Sequence, residues 1–357
     1  MATEVIRSFG AAGNGRDYTS LATWQADFQQ NLTLATGNDT KPILEIYDDW
    51  PGDPLGNNES VVLSGAVCDP ATDNIFVWRP ATGEGFPPTI DTTPAFAGWT
   101  GAKLTRGGAG NTVLTIGLNQ FIHIEDLALV NTRTASNSNA DTATWLQGGS
   151  LQAERCFIST YGGQAHTEES TATSWPSYFR SCVFTREVAT SPGFQRAVYR
   201  GYGIASLEAC SIIMPAPTTL NSGDILQDRG VSTLNMSDTV VYNIIGTYSS
   251  FNAIVGTNNA SDLTPGGTSP VIGVVDDADF VSVSTGNFNL APSSLLEDAG
   301  ATLPNFDYDV VNYTRTGTWD VGSFEIQGAP AGAVLDTPTV TAIAQTTATI
   351  GLSLIHI

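Results

Sequence analysis

A repeat of 26 to 29 residues limits the folds open to this chain more than any other sequence feature. Each unit has a small or apolar residue, two mostly polar residues, one position that aligns in all five units (the fixed column), and a tail of β-forming residues. The five units are IEDLALV (124–130), AERCFIS (153–159), FRSCVFT (179–185), LEACSII (207–213) and MSDTVVY (236–242), with the fixed column at Leu127, Cys156, Cys182, Cys210 and Thr239. A similar segment that returns at a near-constant interval indicates a solenoid of stacked units.

The units are more consistent with β-coils than with helical hairpins. Helical repeats of this length carry amphipathic segments of about ten or more residues, whereas here short runs of Val, Ile, Phe and Thr alternate with Gly, Ser, Asn and Pro. The predicted fold is all-β, a single-stranded right-handed parallel β-helix (solenoid) with an N-terminal capping helix. In the first unit His123 is expected outside and Glu125-Asp126 at a bend. Four side chains should point inward: Ile122, Ile124, Leu127 and Leu129.

The cysteines of the fixed column are expected to be unpaired and buried, stacked in successive coils. Three thiolates in a row along an axis do not surround a metal ion tetrahedrally, and no CxxC spacing is present. The distance between adjacent coils permits a disulfide between two of these cysteines, but their Cα–Cβ bonds would point in parallel directions, which disfavours it. The sequence therefore predicts neither a metal site nor a cofactor.

Strand-like runs extend the pattern on both sides of the repeat. Upstream they are ILEIY (43–47), VVLSGAV (61–67), IFVWRPA (75–81), AKLTRG (102–107) and TVLTIG (112–117), and downstream the alternation continues through 269–290. Before them, Thr19-Ser20 followed by Leu21, Trp24 and Phe28 predicts an N-capped amphipathic helix. We interpret this helix as the lid on the first coil, because an open ladder edge invites pairing with other chains.

Two terminal segments carry a family resemblance. FDYDVVNYTRTGTWDVGSFEIQ (306–327) resembles the closing motif of right-handed parallel β-helix proteins, D-x-D-G-x-x-R followed by D-I-G-A-x-E. The matches are Asp307, Asp309, Arg315, Asp320, Gly322 and Glu325, while Asn312, Val321 and Ser323 replace the usual Gly, Ile and Ala. GNGRDYTSLATWQADF (13–28) is similar to the opening of β-helix proteins of phages and marine bacteria. The resemblance implies the fold and says little about activity.

Four parts are expected along the chain. They are an N-terminal strand and capping helix (1–30), the β-helix (31–327), a linker with the truncated start of a fibronectin III or Ig-like domain (328–351), and a final hexapeptide (352–357). An Ig-like sandwich needs about 100 residues, so two strands are only its beginning. Leu352–Ile357 matches the translation of a sequencing-adapter end, and we interpret the chain as a metagenomic fragment.

Charge and composition restrict the partners. The formal net charge is −21, from 35 acidic and 14 basic residues, and such a surface repels a phosphate backbone. Nucleic acid is therefore not an expected partner. No run approaches the ~18 apolar residues of a membrane span, and the N-terminus lacks a secretory signal peptide. Together with the resemblance, this favours a location in a virion or at an extracellular surface.

Catalytic motifs are sparse, and the strongest candidates are carboxylates. No G-x-S-x-G elbow is present, and no glycine-rich motif follows a strand and opens a helix. β-Helices that act on polysaccharides place carboxylates on one outer face, and Asp126, Glu154 and Glu208 fall near equivalent bends. If the chain is an enzyme, a polysaccharide hydrolase or lyase, the catalytic candidates are Glu168, Glu169, Glu154 and Asp141. A lyase needs a base. Because no lysine lies near these carboxylates in the sequence, Arg180 or Arg186 would have to serve as that base.

The segment 161–178 is expected to be the longest polar loop of the repeat region. It combines His166 and the two glutamates with three aromatic residues, Tyr161, Trp175 and Tyr178, which are candidates for a sugar-binding shelf. The alternative is a solvated loop whose aromatic residues pack on the ladder. Glu168 and Glu169 are sequence neighbours whose side chains point to opposite sides, so neither is expected to pair with the other.

Two functions of different classes remain open. The first is a non-enzymatic structural or receptor-binding component of a phage virion or surface fibre, a rigid rod. Its expected partners are other virion proteins and a cell-surface polysaccharide. The second is a tailspike-like depolymerase. Trimeric assembly is common among β-helical phage fibres, so a homotrimer is one expected assembly, although no residue pattern encodes its interface.

Overall fold

The computed structural model describes most of the repeat region and both of its flanks. The described residues are 2–33, 39–50, 59–85, 101–107, 112–133, 142–161, 163–169, 175–186, 198–202, 205–214, 224–228, 230, 233–242, 247–249, 251–262, 275–304 and 306–326. Met1–Ile326 forms one compact unit and Gln327–Ile357 a second. The predicted Ig-like start (328–351) and the final hexapeptide lie outside the described residues. No described helix is long and apolar enough to cross a bilayer.

The described elements are short strands, one α-helix and three 3₁₀ turns. The strands are β1 (Thr3–Phe9), β2 (Thr40–Ile46), β3 (Val61–Leu63), β4 (Phe76–Pro80), β5 (Lys103–Arg106), β6 (Leu114–Gly117), β7 (Phe121–Glu125), β8 (Ala128–Asn131), β9 (Thr142–Gln147), β10 (Ser150–Glu154), β11 (Phe157–Thr160), β12 (Gln164–Glu168), β13 (Ser177–Arg180), β14 (Val183–Arg186), β15 (Tyr199–Gly201), β16 (Ala205–Glu208), β17 (Ser211–Ile213), β18 (Asp224–Asp228), β19 (Thr233–Ser237), β20 (Val240–Tyr242), β21 (Thr247–Ser249), β22 (Ala253–Val255), β23 (Ala260–Ser261), β24 (Phe280–Ser282) and β25 (Asn287–Leu290). The helix is α1 (Leu21–Asp27), and the 3₁₀ turns are Pro70–Thr72, Asp277–Asp279 and Val283–Thr285.

Three parallel sheets make the walls of a solenoid. The first sheet has the order β1-β2-β4-β7-β10-β13-β16-β19-β22, the second β23-β20-β17-β14-β11-β8-β5, and the third β21-β18-β15-β12-β9-β6-β3. From β7 onward each coil visits the first, second and third sheets in turn, and each strand pairs in parallel with its equivalent one coil away. The predicted parallel β-helix is confirmed. With ~4.8 Å between strands, the first sheet is about 38 Å long.

A single residue turns the chain from the first sheet into the second. It has a positive φ in six consecutive coils, at Asp126, Arg155, Ser181, Ala209, Asp238 and Asn258. This left-handed conformation is tolerated best by Asn and Asp, and costs other L-residues about 1–2 kcal/mol. The predicted bend at Glu125-Asp126 is therefore confirmed. Its recurrence on every coil keeps the repeat in register.

The residue after each bend forms the inward column predicted from the repeat. Leu127, Cys156, Cys182, Cys210 and Thr239 are all fully buried, and the cysteines are free. Each thiol donates to the backbone carbonyl two residues earlier, as Cys182 does to Arg180 O at 3.3 Å. The Thr239 hydroxyl makes the same bond to Ser237 O at 3.0 Å. A hydroxyl can thus replace a thiol in this column.

Thiol labelling tests this register. Cys156, Cys182 and Cys210 should react slowly in the folded protein and fast in denaturant, because burial raises the pKa of the Cys182 thiol and removes all three from solvent. Rapid reaction of all three in the native state would contradict the inward stack. Mass spectrometry after a pulse of iodoacetamide distinguishes them from Cys68.

Helix α1 covers the interior near the first coils. Leu21 and Trp24 are buried, and the Trp24 ring lies 5.4 Å from Phe76 and 5.9 Å from Trp78. The predicted apolar face is confirmed, but the predicted side-chain cap is wrong. Ser20 occupies the cap position without a side-chain bond, and the backbone N–H of Leu21 donates to a Glu59 carboxylate oxygen at 3.2 Å instead.

The C-terminal residues 275–326, here called the covering segment, pack against the outer face of the second sheet. This face is apolar, with Ala128, Val130, Phe157, Val183, Ile213 and Val240 directed away from the interior. The covering segment buries against it Phe280, Phe288, Leu296, Val310, Val321 and Phe324. The alternation predicted for 269–290 therefore does not add coils over its described part, because β24 and β25 pair antiparallel with each other.

The closing motif supplies the polar anchors of the covering segment. Arg315 is buried and its guanidinium contacts Glu325 at 3.0 Å, Gly322 O at 2.8 Å and the Ser181 hydroxyl at 3.3 Å. Asp309 accepts backbone N–H bonds, including one from Tyr313 at 2.7 Å. Asn312, at the position of the usual glycine, has a φ of 65°. An asparagine tolerates this conformation, which explains the substitution.

The buried carboxyls of this motif predict that stability falls as the pH rises. Burial raises the pKa of Asp309 to about 6 and that of Glu325 to about 7, from 3.8 and 4.5. Between about pH 4 and pH 7 the folded state therefore binds more protons than the unfolded state, so the free energy of unfolding decreases with pH. At full strength the two shifts correspond to about 6 kcal/mol, and solvent screening of the partly exposed Glu325 reduces this, so we expect a total decrease of about 2–4 kcal/mol.

Urea denaturation at pH 5 and pH 8 measures this slope, with Glu325→Gln as the control that should flatten it. Below about pH 4 the slope should reverse, because the depressed pKa values of Asp17 and Asp49 then cause a loss of stability. A free energy of unfolding that rises steadily from pH 5 to pH 8 would contradict the account.

Candidate binding face

The outer face of the first sheet collects the charged side chains that lie one coil apart. Its inner row comprises Ile124, Ala153, Phe179 and Leu207. Because side chains alternate along a strand, the next residues point outward, and the pairings place Glu125, Glu154, Arg180 and Glu208 in one row. A second outward row contains His123, Gln152, Tyr178 and Ser206. We call these two rows the polar face.

Glu154 is the centre of the polar face. One carboxylate oxygen accepts a bond from the Tyr178 hydroxyl at 3.4 Å and lies 3.8 Å from Arg180 Nη1. The other oxygen lies 3.6 Å from His123 Nε2. Arg180 donates in turn to Glu208 at 2.7 Å, and its guanidinium lies 4.2 Å from the Tyr178 ring centre. Three side chains from the two neighbouring coils, His123, Tyr178 and Arg180, therefore hold the Glu154 carboxylate.

These contacts fix the protonation states at the centre. Burial raises the pKa of Glu154, but His123 and the charges of Arg155 and Arg180 outweigh it, so the pKa lies below its usual range. Burial and the Glu154 charge raise the pKa of Tyr178 to about 12. Contact with Glu208 raises the pKa of Arg180 against the effect of burial. At neutral pH Glu154 is thus an acceptor, and Tyr178 and Arg180 are donors.

The bend beside the polar face carries another ion pair. Arg155 donates to both oxygens of Asp126, at 2.6 and 2.9 Å, and lies 3.6 Å from Glu125. These bonds explain why an arginine occupies a left-handed position, since the strain is offset by charge-assisted contacts one coil away. Of the carboxylates expected on one outer face, Glu154 and Glu208 share Arg180, while Asp126 is bound by Arg155 at the corner.

Segment 161–178 does not form the predicted loop throughout. Residues 164–168 are strand β12 of the third sheet, and His166 and Glu168 are fully buried inside the solenoid. The Glu168 carboxyl accepts bonds from the Tyr199 hydroxyl, from Tyr202 N at 2.7 Å and from Ala205 N at 3.1 Å. The prediction of solvated carboxylates is therefore wrong for Glu168. A polymer outside the coil cannot reach it.

The other catalytic candidates are dispersed. Glu169 follows β12, is half-buried, and its backbone N–H donates to Leu146 O at 2.8 Å. Glu154 lies on the first sheet, while Asp141 lies outside the described residues. Glu168 and Glu154 cannot act as a catalytic pair, because Glu168 is inside the coil and Glu154 is on its outer face.

The predicted aromatic shelf is also divided. Tyr161 belongs to the cluster beneath the covering segment, and the ring of Trp175 packs 5.9 Å from Phe121. Tyr178 belongs to the polar face. Sequence proximity is misleading here because the coil turns corners within this segment, so residues 161, 175 and 178 face different surroundings.

The cations that organise the polar face were not predicted from the sequence. His123 and Arg155 received no site role, and Arg180 was considered only as a substitute base. The repeat spacing contained the signal, since Glu125, Glu154, Arg180 and Glu208 occupy equivalent positions in successive units. Among the described residues, no group of three or more His, Cys, Asp or Glu side chains is arranged to hold a metal ion.

Comparisons with known proteins give a distant structural likeness. No family model matches the chain, and no curated protein matches it. Among solved structures, it is similar to the crystal structure of pectate lyase Pel9A, with 12% sequence identity and a TM-score of 0.42, over 91% of this chain and 97% of that one. A likeness at this level carries no information about substrate or mechanism.

Proposed function

We propose that this chain is a non-enzymatic structural or receptor-binding component of a phage virion or surface fibre. In this proposal it is a rigid β-helical rod whose polar face binds a cell-surface polysaccharide. Its further partners are other virion proteins, and a homotrimer is one assembly that such fibres adopt. The resemblance of the terminal segments to phage-type β-helices supports the location, and the polar face supports the ligand class.

The state of Glu154 is the observation that carries the non-enzymatic part of the proposal. General acid catalysis needs a carboxyl whose pKa is raised towards neutrality and whose proton faces the substrate. Glu154 has a lowered pKa and holds its neighbours as an acceptor. Arg180, the substitute base considered for a lyase, has a raised pKa and stays protonated. The centre of this face is thus suited to hydrogen bonding and not to proton transfer.

The arrangement of Tyr178 supports carbohydrate recognition. Its ring lies on the outer face of a parallel sheet, flanked in its row by Gln152 and Ser206. Tyrosine offers an apolar face for the C–H groups of a sugar, and adjacent amide and hydroxyl groups can bind sugar hydroxyls. Because rows continue from coil to coil, an extended chain of sugars can follow the axis of the rod.

Affinity electrophoresis through gels that contain capsular polysaccharide or lipopolysaccharide tests this proposal. The wild-type protein should be retarded in at least one gel, and Tyr178→Ala should reduce retardation about tenfold. Tyr18→Ala is the matched control, since this half-buried tyrosine bonds Asp27 away from the polar face. Equal retardation of wild type and Tyr178→Ala, or none in any gel, would contradict binding through this face.

A further inference from the structure

We propose that a groove at the corner between the first and second sheets binds one or two residues of a neutral saccharide. The inference rests on the proposed polysaccharide binding and adds a second, separate subsite to it. The groove has a volume of about 380 Å³ and is lined by Gly83, Gly85, Asp126, Val311, Asn312 and Tyr313. This volume falls within the ~300–1,000 Å³ of small-ligand sites.

The two glycines keep one side of the groove open. A Cβ added at Gly83 or Gly85 would meet no atom within 4 Å, so both positions border free space. Gly83 has a φ of +89°, which other residues rarely adopt. A ligand can therefore approach the backbone closely at these two positions.

The opposite side of the groove is a fixed turn of the covering segment. Backbone N–H groups of Val311 and Tyr313 donate to the Asp309 carboxylate at 3.0 and 2.7 Å. Below it, the Ser181 hydroxyl donates to Tyr308 O at 3.1 Å. A turn held in this way loses little freedom when a ligand binds, which favours affinity.

The exposed side chains of this turn match the chemistry of a pyranose. Tyr313 is 39% exposed, so its ring is available for stacking against sugar C–H groups. Asn312 is exposed beside it, and its amide can donate and accept bonds with adjacent hydroxyls. Within the described part of the chain, neither side chain makes a hydrogen bond to another residue, so both are available to a ligand.

The charges around the groove favour a neutral sugar. Asp126 is the charged residue of the lining, and the nearby cation Arg155 already binds both of its oxygens as well as contacting Glu125. A uronate or phosphate would place its negative charge beside Asp126, in a protein whose net charge is −21. A neutral hexose polymer avoids this repulsion.

Saturation-transfer NMR and calorimetry with neutral hexasaccharides of glucose, mannose and galactose test the proposal, with hexagalacturonate as the charged comparator. At least one neutral hexasaccharide should bind, and hexagalacturonate should bind at least tenfold more weakly. Tyr313→Ala should weaken binding at least tenfold. Asn312→Gly should weaken it about three- to tenfold while preserving the fold, because glycine suits the φ of 65°.

Comparison with Tyr178→Ala separates this site from the polar face, and Tyr18→Ala is the control. Neutral hexasaccharides should bind Tyr18→Ala with an affinity within twofold of wild type, because Tyr18 bonds Asp27 and belongs to neither site. If binding is lost in Tyr178→Ala but unchanged in Tyr313→Ala, the groove is refuted and the polar face is retained. No binding of any neutral hexasaccharide, or a preference for hexagalacturonate, would also overturn the groove proposal.

Discussion

Replacing Glu168 with alanine is expected to lower the free energy of unfolding by about 3–5 kcal/mol, since removing one partner of a buried polar cluster leaves the others unsatisfied. The carboxyl accepts bonds from a tyrosine hydroxyl and from two backbone N–H groups of the following coil. The Tyr199 hydroxyl and the Ala205 N–H are buried, and the Tyr202 N–H is partly buried. Loss of the acceptor therefore leaves at least two buried donors unsatisfied.

His166 adds to the expected effect. Its Nδ1 lies 2.8 Å from the Thr144 hydroxyl, and its Nε2 lies 3.8 Å from Glu168. The imidazole stacks on Tyr199 with 5.1 Å between ring centres. Removal of the carboxyl thus also changes the environment of a buried histidine that bridges two coils.

Glu169→Ala is the matched control for this substitution. It removes a carboxylate from the adjacent, half-buried position, and the expected loss is below about 1 kcal/mol. Glu168→Gln should fall between the two, because its amide oxygen can still accept. Guanidinium denaturation of the three variants measures the differences. If Glu168→Ala and Glu169→Ala denature at the same concentration, the buried cluster does not stabilise the coil as described.

Truncation before the covering segment is expected to produce an insoluble or aggregated protein. Ending the chain at residue 274 would expose the apolar outer face of the second sheet, from Ala128 to Val240. Contiguous apolar surfaces of this kind drive association in water. Dye binding and size-exclusion chromatography should detect exposed apolar surface and large assemblies.

Deleting only residues 329–357 should leave the melting temperature nearly unchanged. The two strands that the sequence predicts there cannot alone bury enough surface to offset the entropy of ordering them. A large fall in melting temperature would mean that the tail packs on the β-helix. A monomeric, soluble protein ending at residue 274 with the melting temperature of the full chain would refute the role of the covering segment.

The coil could be predicted from the repeat, because the direction of each side chain depends on residues close to it in the sequence. A fixed column and an alternating tail determine which side chains point inward, and Ile122, Ile124, Leu127 and Leu129 are all buried. The same spacing aligned Glu154 with Glu208. Stacking of equivalent residues thus follows directly from the period of the sequence.

The interior polar cluster could not be predicted in this way. Strand β12 has the sequence QAHTE, which lacks the apolar alternation of a half-buried strand. Burial of Glu168 depends on donors 31 to 37 residues later in the chain. The corner groove is similarly nonlocal, since Gly83, Asp126 and Tyr313 are brought together only by the coil and the covering segment.

The chain length of a bound polysaccharide tests the central claim most directly. Capsular polysaccharide and lipopolysaccharide are incubated with the protein overnight and analysed by size-exclusion chromatography with light scattering. The account predicts that a bound polysaccharide elutes with the protein at an unchanged molar mass, without new reducing ends. Shortening of the polymer that disappears in Glu154→Gln, Glu168→Gln or Glu169→Gln would contradict it and establish a depolymerase.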